Sequence, residues 1–248
     1  VTAYDTAEVA FAVVTSVSRE DGGFCVAATG VRGEPDREVT TARVLVTSGL
    51  TESLPDVANM RAYYGTSIHS CLTCDGFEKT GEPLAVIGQT SDIADAAWRA
   101  LQWSDDLVLF THGTPGAVST GERDALLAAG VRVVDDRIAA LEGDRSGLSA
   151  VTLDSGESVR RTGGFVRPEW SAALDYLAPL GDDLRRDDTG LLLVDGAGRT
   201  SVDGVLAAGD VTPPGPQQLV VAAGHAAVVA SAILADISAT RRLRVLAD

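Results

Sequence analysis

The sequence predicts an α/β protein of two domains, and three observations predict it. A strand–helix alternation runs from residue 84 to residue 134. Short apolar runs that end at glycine recur on either side of it. A long apolar helix follows over residues 217–235. With 248 residues, 45% of them hydrophobic, the chain can form one large core or two smaller ones.

Residues 9–17 (VAFAVVTSV) and 24–28 (FCVAA) flank SREDGG, which reads as strand, turn, strand. A third strand at 43–48 (RVLVTS) ends at Gly49, and the three read as an antiparallel addition leading back into a sheet. Residues 50–66, with Pro55 and Gly65, read as a crossover between domains. Strand 84–87 (LAVI) ends at Gly88, and a helix from Asp92 to Gln102 takes Ser91 as its N-cap. Strand 107–110, a helix at 121–129 closed by Gly130, and strand 131–134 follow. Residues 138–160 read as antiparallel strands, completing a nucleotide-binding-like domain. Further on, 191–194 (LLLV) and 205–208 (VLAA) read as strands. Pro213, Pro214 and Pro216 stiffen the approach to the apolar helix. That helix has so little polar surface that it must be covered on most sides, and the chain supplies few parallel strands to cover it. Gly224 at mid-helix predicts a close packing contact.

A net charge of -15 argues against a nucleic-acid partner, which needs clustered Lys and Arg. Residues 219–235 read as too short for a membrane span, and His225 interrupts them. The N-terminal VTAYDTAEVAF lacks the basic-then-apolar order of a signal peptide. Together these predict a cytoplasmic protein.

Three cysteines do not make a disulfide framework. Cys71 and Cys74 form a CxxC pair whose thiols can meet in one small loop. A thiolate there, with a resolving partner, supports thiol–disulfide exchange. Inert cysteines are a second reading, and a metal site, with Cys25 and His69 as further ligands, a third. Cys25, in an apolar run, reads as a small buried hydrophobe. Asp75 is a candidate acid for a leaving thiolate, or the first residue of an Asp-Gly turn. His69 is a candidate base, or a solvated side chain. Asp210 ends a strand as AAGD, where it can bind a ribose or ribityl hydroxyl or simply make a turn.

Several segments, in order over nearly the whole chain, resemble one family. SIHSCLTCDGFE at 67–78 resembles the redox segment of bacterial thioredoxin reductases. GVLAAGDV at 204–211 resembles the family's second FAD-contacting motif, and PQQLVVAAGHAAVVA at 216–230 the helix beside the flavin. VLVTSG at 44–49 sits where the family has an ATG-like strand end, and WSDDLVLFTHG at 103–113 looks closer to the dithiol-oxidase branch.

The resemblance implies a two-domain FAD/NAD(P)-binding Rossmann-like fold of three-layer ββα type. FAD-domain pieces fall at 1–58 and 166–248, around an NAD(P)-binding-like domain at 59–165 that carries the CxxC. It implies an FAD-dependent dithiol–disulfide oxidoreductase in which Cys74 faces the flavin, Cys71 exchanges with substrate and Asp75 is the acid. Gly49, Gly209, Asp210, Gln217 and Gln218 are the implied FAD contacts, and Gly88 opens the second dinucleotide turn. The external partner is NADPH, as in thioredoxin reductases, or oxygen, as in dithiol oxidases. The substrate is a dithiol or disulfide, either a protein such as thioredoxin or a small molecule, and a homodimer is implied. A non-catalytic flavoprotein-derived module is the alternative.

Two departures qualify this. The family's opening strand and GxGxxG turn, which hold the FAD pyrophosphate, have no counterpart in these residues. The expectation is that this first βαβ unit lies upstream of Val1. The second turn, Gly88-Gln89-Thr90-Ser91-Asp92, keeps only its first glycine and brings Asp92 toward the phosphates. His112 follows the next strand without an Arg pair for a 2′-phosphate, so NADPH binding is expected to be weak.

Overall fold

The computed structural model describes residues 4–213 and 215–247; Val1 and Pro214 lie outside them. The chain begins with β1 (Ala12–Glu20), β2 (Gly23–Gly30), β3 (Arg37–Thr41) and β4 (Val44–Val46). It crosses at β5 (Thr51–Ser53) and continues through α1 (Met60–Tyr63), β6 (Ile68–His69) and α2 (Leu72–Asp75). The alternating stretch is β7 (Leu84–Ile87), α3 (Ile93–Ala100), β8 (Leu107–Phe110), α4 (Thr120–Ala128) and β9 (Arg132–Val134). Then come β10 (Ile138–Asp144), β11 (Gly147–Leu153), β12 (Ser158–Arg160) and β13 (Gly163–Val166). The chain returns through β14 (Glu169–Ser171) and ends with β15 (Val205–Ala207) and α5 (Leu219–Ala247). Two compact units result: Glu52–Trp170, and Val1–Thr51 with Ser171–Asp248.

In the Glu52–Trp170 unit the sheet order is β6-β13-β7-β8-β9, with parallel pairings throughout. Such a sheet must be buried on both faces, and its continuous apolar strands serve the two faces with alternate side chains. Leu84, Val86, Leu107 and Leu109 pack with Ile93, Ala97 and Leu126 of the helices. Ala85, Ile87, Val108 and Phe110 pack instead with Leu141, Val151 and Val159 of the antiparallel β10–β12 meander. The layers are therefore meander, sheet, helices: a Rossmann-like ββα arrangement.

In the other unit, β1, β2 and β3 form an antiparallel sheet, and β4 pairs in parallel with β15. Val205 and Ala207 face a core with Val17, Phe24, Leu174 and Leu177. Leu206 and Ala208 face Val229 of α5.

Several expectations change. The third antiparallel strand is Arg37–Thr41, not 43–48; its polar residues are held by the ladder to β2 rather than by burial, so no apolar alternation marks it. The 43–48 run contributes Val44–Val46 to a parallel pair. Residues 191–194 form no strand. Leu192 makes a single bridge to Arg186, and Asp187 Oδ1 accepts the N–H groups of Thr189 and Leu191 in a tight turn. Ser91 does not cap α3; Asp92 holds the N-cap position without a capping hydrogen bond. Cys25 is half-buried rather than buried, and burial pushes its thiol pKa up.

Helix α5 departs most. It runs to Ala247, and Leu219–Leu243 is long and apolar enough to cross a membrane by length and composition, with a mean hydropathy of 1.9. This corrects the reading of that segment as too short. Within the described residues most of it is not covered: Val229 is buried, but Leu219 is 89% exposed, Val220 73% and Leu243 69%. A Cβ at Gly224 would meet nothing within 4 Å, so the expected packing contact is absent among these residues.

Close packing of the parallel sheet yields a direct test. A Cβ on Gly164 would lie 2.3 Å from the Ala85 carbonyl oxygen, which belongs to the paired strand. Gly164→Ala should destabilise the protein by roughly 1–3 kcal/mol through overpacking. Gly116→Ala, where a Cβ meets open space, should stay within about 0.5 kcal/mol. Urea unfolding midpoints measure both.

Candidate functional site

Strand β6 delivers the chain to the CxxC. Cys71 is the N-cap of the single-turn α2. The turn brings the two Cα atoms to 5.2 Å, and the sulfurs form a disulfide. Cys71 Sγ accepts the backbone N–H of Cys74 at 3.1 Å. That bond favours negative charge on Cys71 once the disulfide opens. Cys74 is the more exposed of the pair. With both CxxC sulfurs joined, neither is a free metal ligand, and no group of three His, Cys, Asp or Glu among the described residues is arranged to hold a metal ion.

The surroundings brace this loop. The Asp75 N–H donates to the Cys71 carbonyl at 3.1 Å, and its Oδ1 lies 3.4 Å from His69 Nδ1. His69 Nε2 meets the Thr66 carbonyl oxygen at 2.9 Å, so this nitrogen carries the proton. His69 is therefore held at Nε2 by the backbone rather than solvated, with Nδ1 turned toward Asp75. Tyr64 Oη bonds the Glu52 carboxylate and lies 3.0 Å from Ser70 Oγ, beside Cys71. Burial, then the Glu52 contact, push the Tyr64 hydroxyl up from its ordinary pKa. A Cβ at Gly76 would sit 2.2 Å from Trp103 Nε1, so only glycine lets the indole lie against the loop. Phe77, 75% exposed, meets Trp103 edge-on. Tyr64 and Trp103 escaped the sequence reading, because nothing in their local pattern tells a bracing aromatic from a core one.

The residues implied as flavin contacts lie in the other unit. Gly49 follows β4 with φ +66 and open space about it. Gly209, with φ +78, turns the chain out of β15 beside Ala222. Asp210 and Gln217 line one small cleft with Thr212 and His225. His225 Nδ1 accepts the Gly209 N–H at 3.3 Å, which ties the turn to α5. Gln218 is not in that cleft; its carbonyl accepts the Ala222 N–H at the start of the helix. Thr212 and His225 are additions, legible only once α5 is seen to lie against the β15 turn.

Gly88 ends β7, where a Cβ would strike Ile93 at 2.7 Å and Arg167 Cβ at 3.0 Å. Arg167 follows β13 and reaches Asp92 through both Nε, at 3.1 Å, and Nη2. Thr90 Oγ1 donates to the other carboxylate oxygen. Burial alone would push the Asp92 carboxyl up, but the Thr90 and Arg167 contacts outweigh it and hold the pKa below the ordinary carboxylate range. His112 is buried, and its Nδ1 accepts the Ile138 N–H at 3.0 Å. Burial, then Arg137, lower its pKa, and the bond to Ile138 makes it a structural group.

Fold and site together define a class: a Rossmann-like ββα protein that presents a disulfide on one turn of helix beside its parallel sheet. The chain belongs to the pyridine nucleotide-disulphide oxidoreductase family, whose model matches residues 5–226, and within it to the thioredoxin-reductase-like proteins. It is 28% identical over 205 residues to the thioredoxin reductase of Streptomyces coelicolor, covering 79% of this chain and 63% of that one. Over 79 residues it is 27% identical to a probable thioredoxin reductase of Arthroderma benhamiae, covering 32% and 20%. The chain thus spans less than two thirds of the length of these curated relatives. Among solved structures it is similar to HlmI, with a TM-score of 0.81 and 30% identity over 97% of this chain and 74% of that one. TrxB from Bacillus anthracis gives a TM-score of 0.81 and 29% identity, over 93% and 75%.

Two outcomes follow from this geometry. Thiol titration of the denatured, unreduced protein should find Cys25 alone, and all three cysteines after reduction; labelling of Cys71 or Cys74 before reduction would contradict the disulfide. The Asp92 pairing contributes stability above the unfolded carboxylate pKa, because the folded value is the lower one, and that contribution is lost as pH falls through the folded value. Thermal melting between about pH 3 and pH 7 should therefore fall more steeply toward acid for the native protein than for Asp92→Asn.

Proposed function

We propose that this chain is the greater part of an FAD-dependent dithiol–disulfide oxidoreductase that works through Cys71 and Cys74. The observation that carries the reading is the accessible disulfide whose Cys71 sulfur accepts a backbone N–H. A substrate dithiol enters as a thiolate and attacks one sulfur of the disulfide, forming a mixed disulfide and releasing the other cysteine as thiolate. The second substrate thiol then displaces the bound cysteine. Substrate leaves as a disulfide, and Cys71 and Cys74 have taken up two electrons and two protons. In the opposite direction, the Cys71 thiolate attacks a substrate disulfide and Cys74 resolves the adduct. Asp75, beside Cys74 in the chain and 3.4 Å from His69, would hand a proton to a leaving thiolate. The exposed Phe77 beside Trp103 gives an incoming dithiol, protein or small molecule, an apolar surface next to the sulfurs.

The residues present fit part of an FAD site. Gly49 and Gly209 leave room for close backbone approach, and Asp210 and Gln217 offer polar groups for hydroxyl and ring-edge contacts. Gln218, at the start of α5, is a further candidate. FAD supplies the two-electron redox chemistry that returns the cysteine pair to its starting state. No glycine-rich strand–turn–helix among the described residues fits the pyrophosphate. The exposed face of α5 and the edges of the β4–β15 pair that no described strand covers support a βαβ unit that covers both and brings that turn. In this reading α5 is an interior helix rather than a membrane span. A homodimer fits the same reading.

The full-length protein, assayed for oxidation of dithiothreitol, tests it. Cys71→Ser and Cys74→Ser should each lose activity by at least about a hundredfold while keeping flavin absorbance, since neither serine can form the disulfide. Unchanged turnover in either variant would overturn the role given to the pair.

A further inference from the structure

In the sheet order β6-β13-β7-β8-β9, the chain moves from β7 outward to β8 and β9, while β13 lies on the other side of β7. The reversal makes a crevice beyond the carboxyl ends of β7 and β13, where a sheet of this kind receives a dinucleotide. The residues at this switch point do not fit one. Gln89 and Thr90 carry side chains where a phosphate would need bare backbone N–H groups, and Gln89 Nε2 is committed to the His112 carbonyl at 3.3 Å and Thr114 Oγ1 at 3.2 Å. Asp92 puts its carboxylate at the N-cap of α3, where the partial positive charge of the helix would otherwise meet the pyrophosphate.

The cations are spent as well. Arg167 packs on Gly88 and holds Asp92 through two nitrogens. At the ends of β8 and β9, Arg123 pairs with Asp135 at 2.8 Å and Arg137 lies 3.8 Å from Asp154. His112, the remaining basic side chain there, is buried and turned onto Ile138. The crevice is bordered by Asp56 and Glu169 in addition to Asp92, three carboxylates against the one guanidinium of Arg167. An anionic dinucleotide would have to part Arg167 from Asp92 and would leave that carboxylate facing its own phosphates.

We propose that the Asp92–Arg167 pair is a latch that closes this crevice to nicotinamide dinucleotides. It follows, resting on the redox reading of Cys71 and Cys74, that the electron partner of this protein is not NADPH or NADH. Asp92 and Arg167 are specificity-determining residues: one repels the phosphates, and the other is the latent cation that would bind them if freed.

Titration calorimetry of the oxidised full-length protein with NADPH, and separately with NADH, tests the latch. The native protein should show no binding up to about 1 mM, the upper end of the range in which enzymes hold such substrates. Asp92→Asn, which keeps the shape of the N-cap, and Asp92→Ala should each tighten NADPH binding by at least about tenfold. Adding Arg167→Ala to either should abolish the gain. Native binding with a micromolar Kd, or no gain in two Asp92 variants that melt cooperatively, would overturn the proposal. Dithiol oxidation by the same native preparation reports separately on the cysteine pair: tight NADPH binding with turnover intact removes the latch alone, whereas absent turnover with no NADPH binding removes the redox reading alone.

Discussion

The two-sided burial of the parallel sheet β6-β13-β7-β8-β9 is the constraint on which the other features of its unit depend. Leu84 and Val86 point to the helices while Ala85 and Ile87 point to the meander, so a slip of one residue would turn each face inside out. That register fixes where the strands end. It puts Gly88, His112 and Arg167 at one edge, and it carries β6 to the point where Cys71 begins its turn. Glycine at 164 is the local requirement of that packing, since the neighbouring strand leaves no space for a side chain.

The second unit is governed by a burial that is incomplete. One face of the β4–β15 pair is closed by the Val17, Phe24 and Leu177 core, and among the described residues the other meets α5 at Val229 and Ile233. A helix this apolar, left in water, forfeits the hydrophobic stabilisation that its composition provides for. A neighbour of the same architecture would satisfy the helix and the open strand edges at once. The βαβ unit proposed to carry the pyrophosphate turn would be such a neighbour.

The middle of the chain was readable from sequence because its strands are continuous apolar runs with glycine stops, and α3 repeats its apolar residues at helical spacing. The CxxC was readable because its spacing alone lets two sulfurs meet. Other parts were not. β13 (GGFV) is short and half glycine, so its pattern is no stronger than a turn, and without it neither the switch point nor Arg167 comes into view. Arg37–Thr41 is a strand held by ladder hydrogen bonds with little burial, which periodicity cannot detect. LLLV misled in the other direction: only Leu192 is buried, and a turn built on Asp187 replaces the ladder. The charge on Asp92 was legible, but its partner, 75 residues away, was not.

The central claim is that electrons pass between the Cys71–Cys74 pair and a flavin held by the same protein. Anaerobic titration of the full-length protein with dithiothreitol, followed by the flavin band at about 450 nm, tests it most directly. The account predicts that the native protein consumes one equivalent of dithiol for the disulfide and one for the flavin, and that the band stays unbleached in Cys74→Ser. A flavin that bleaches equally fast in that variant, or a native protein that takes up one equivalent with no change in the band, would contradict it.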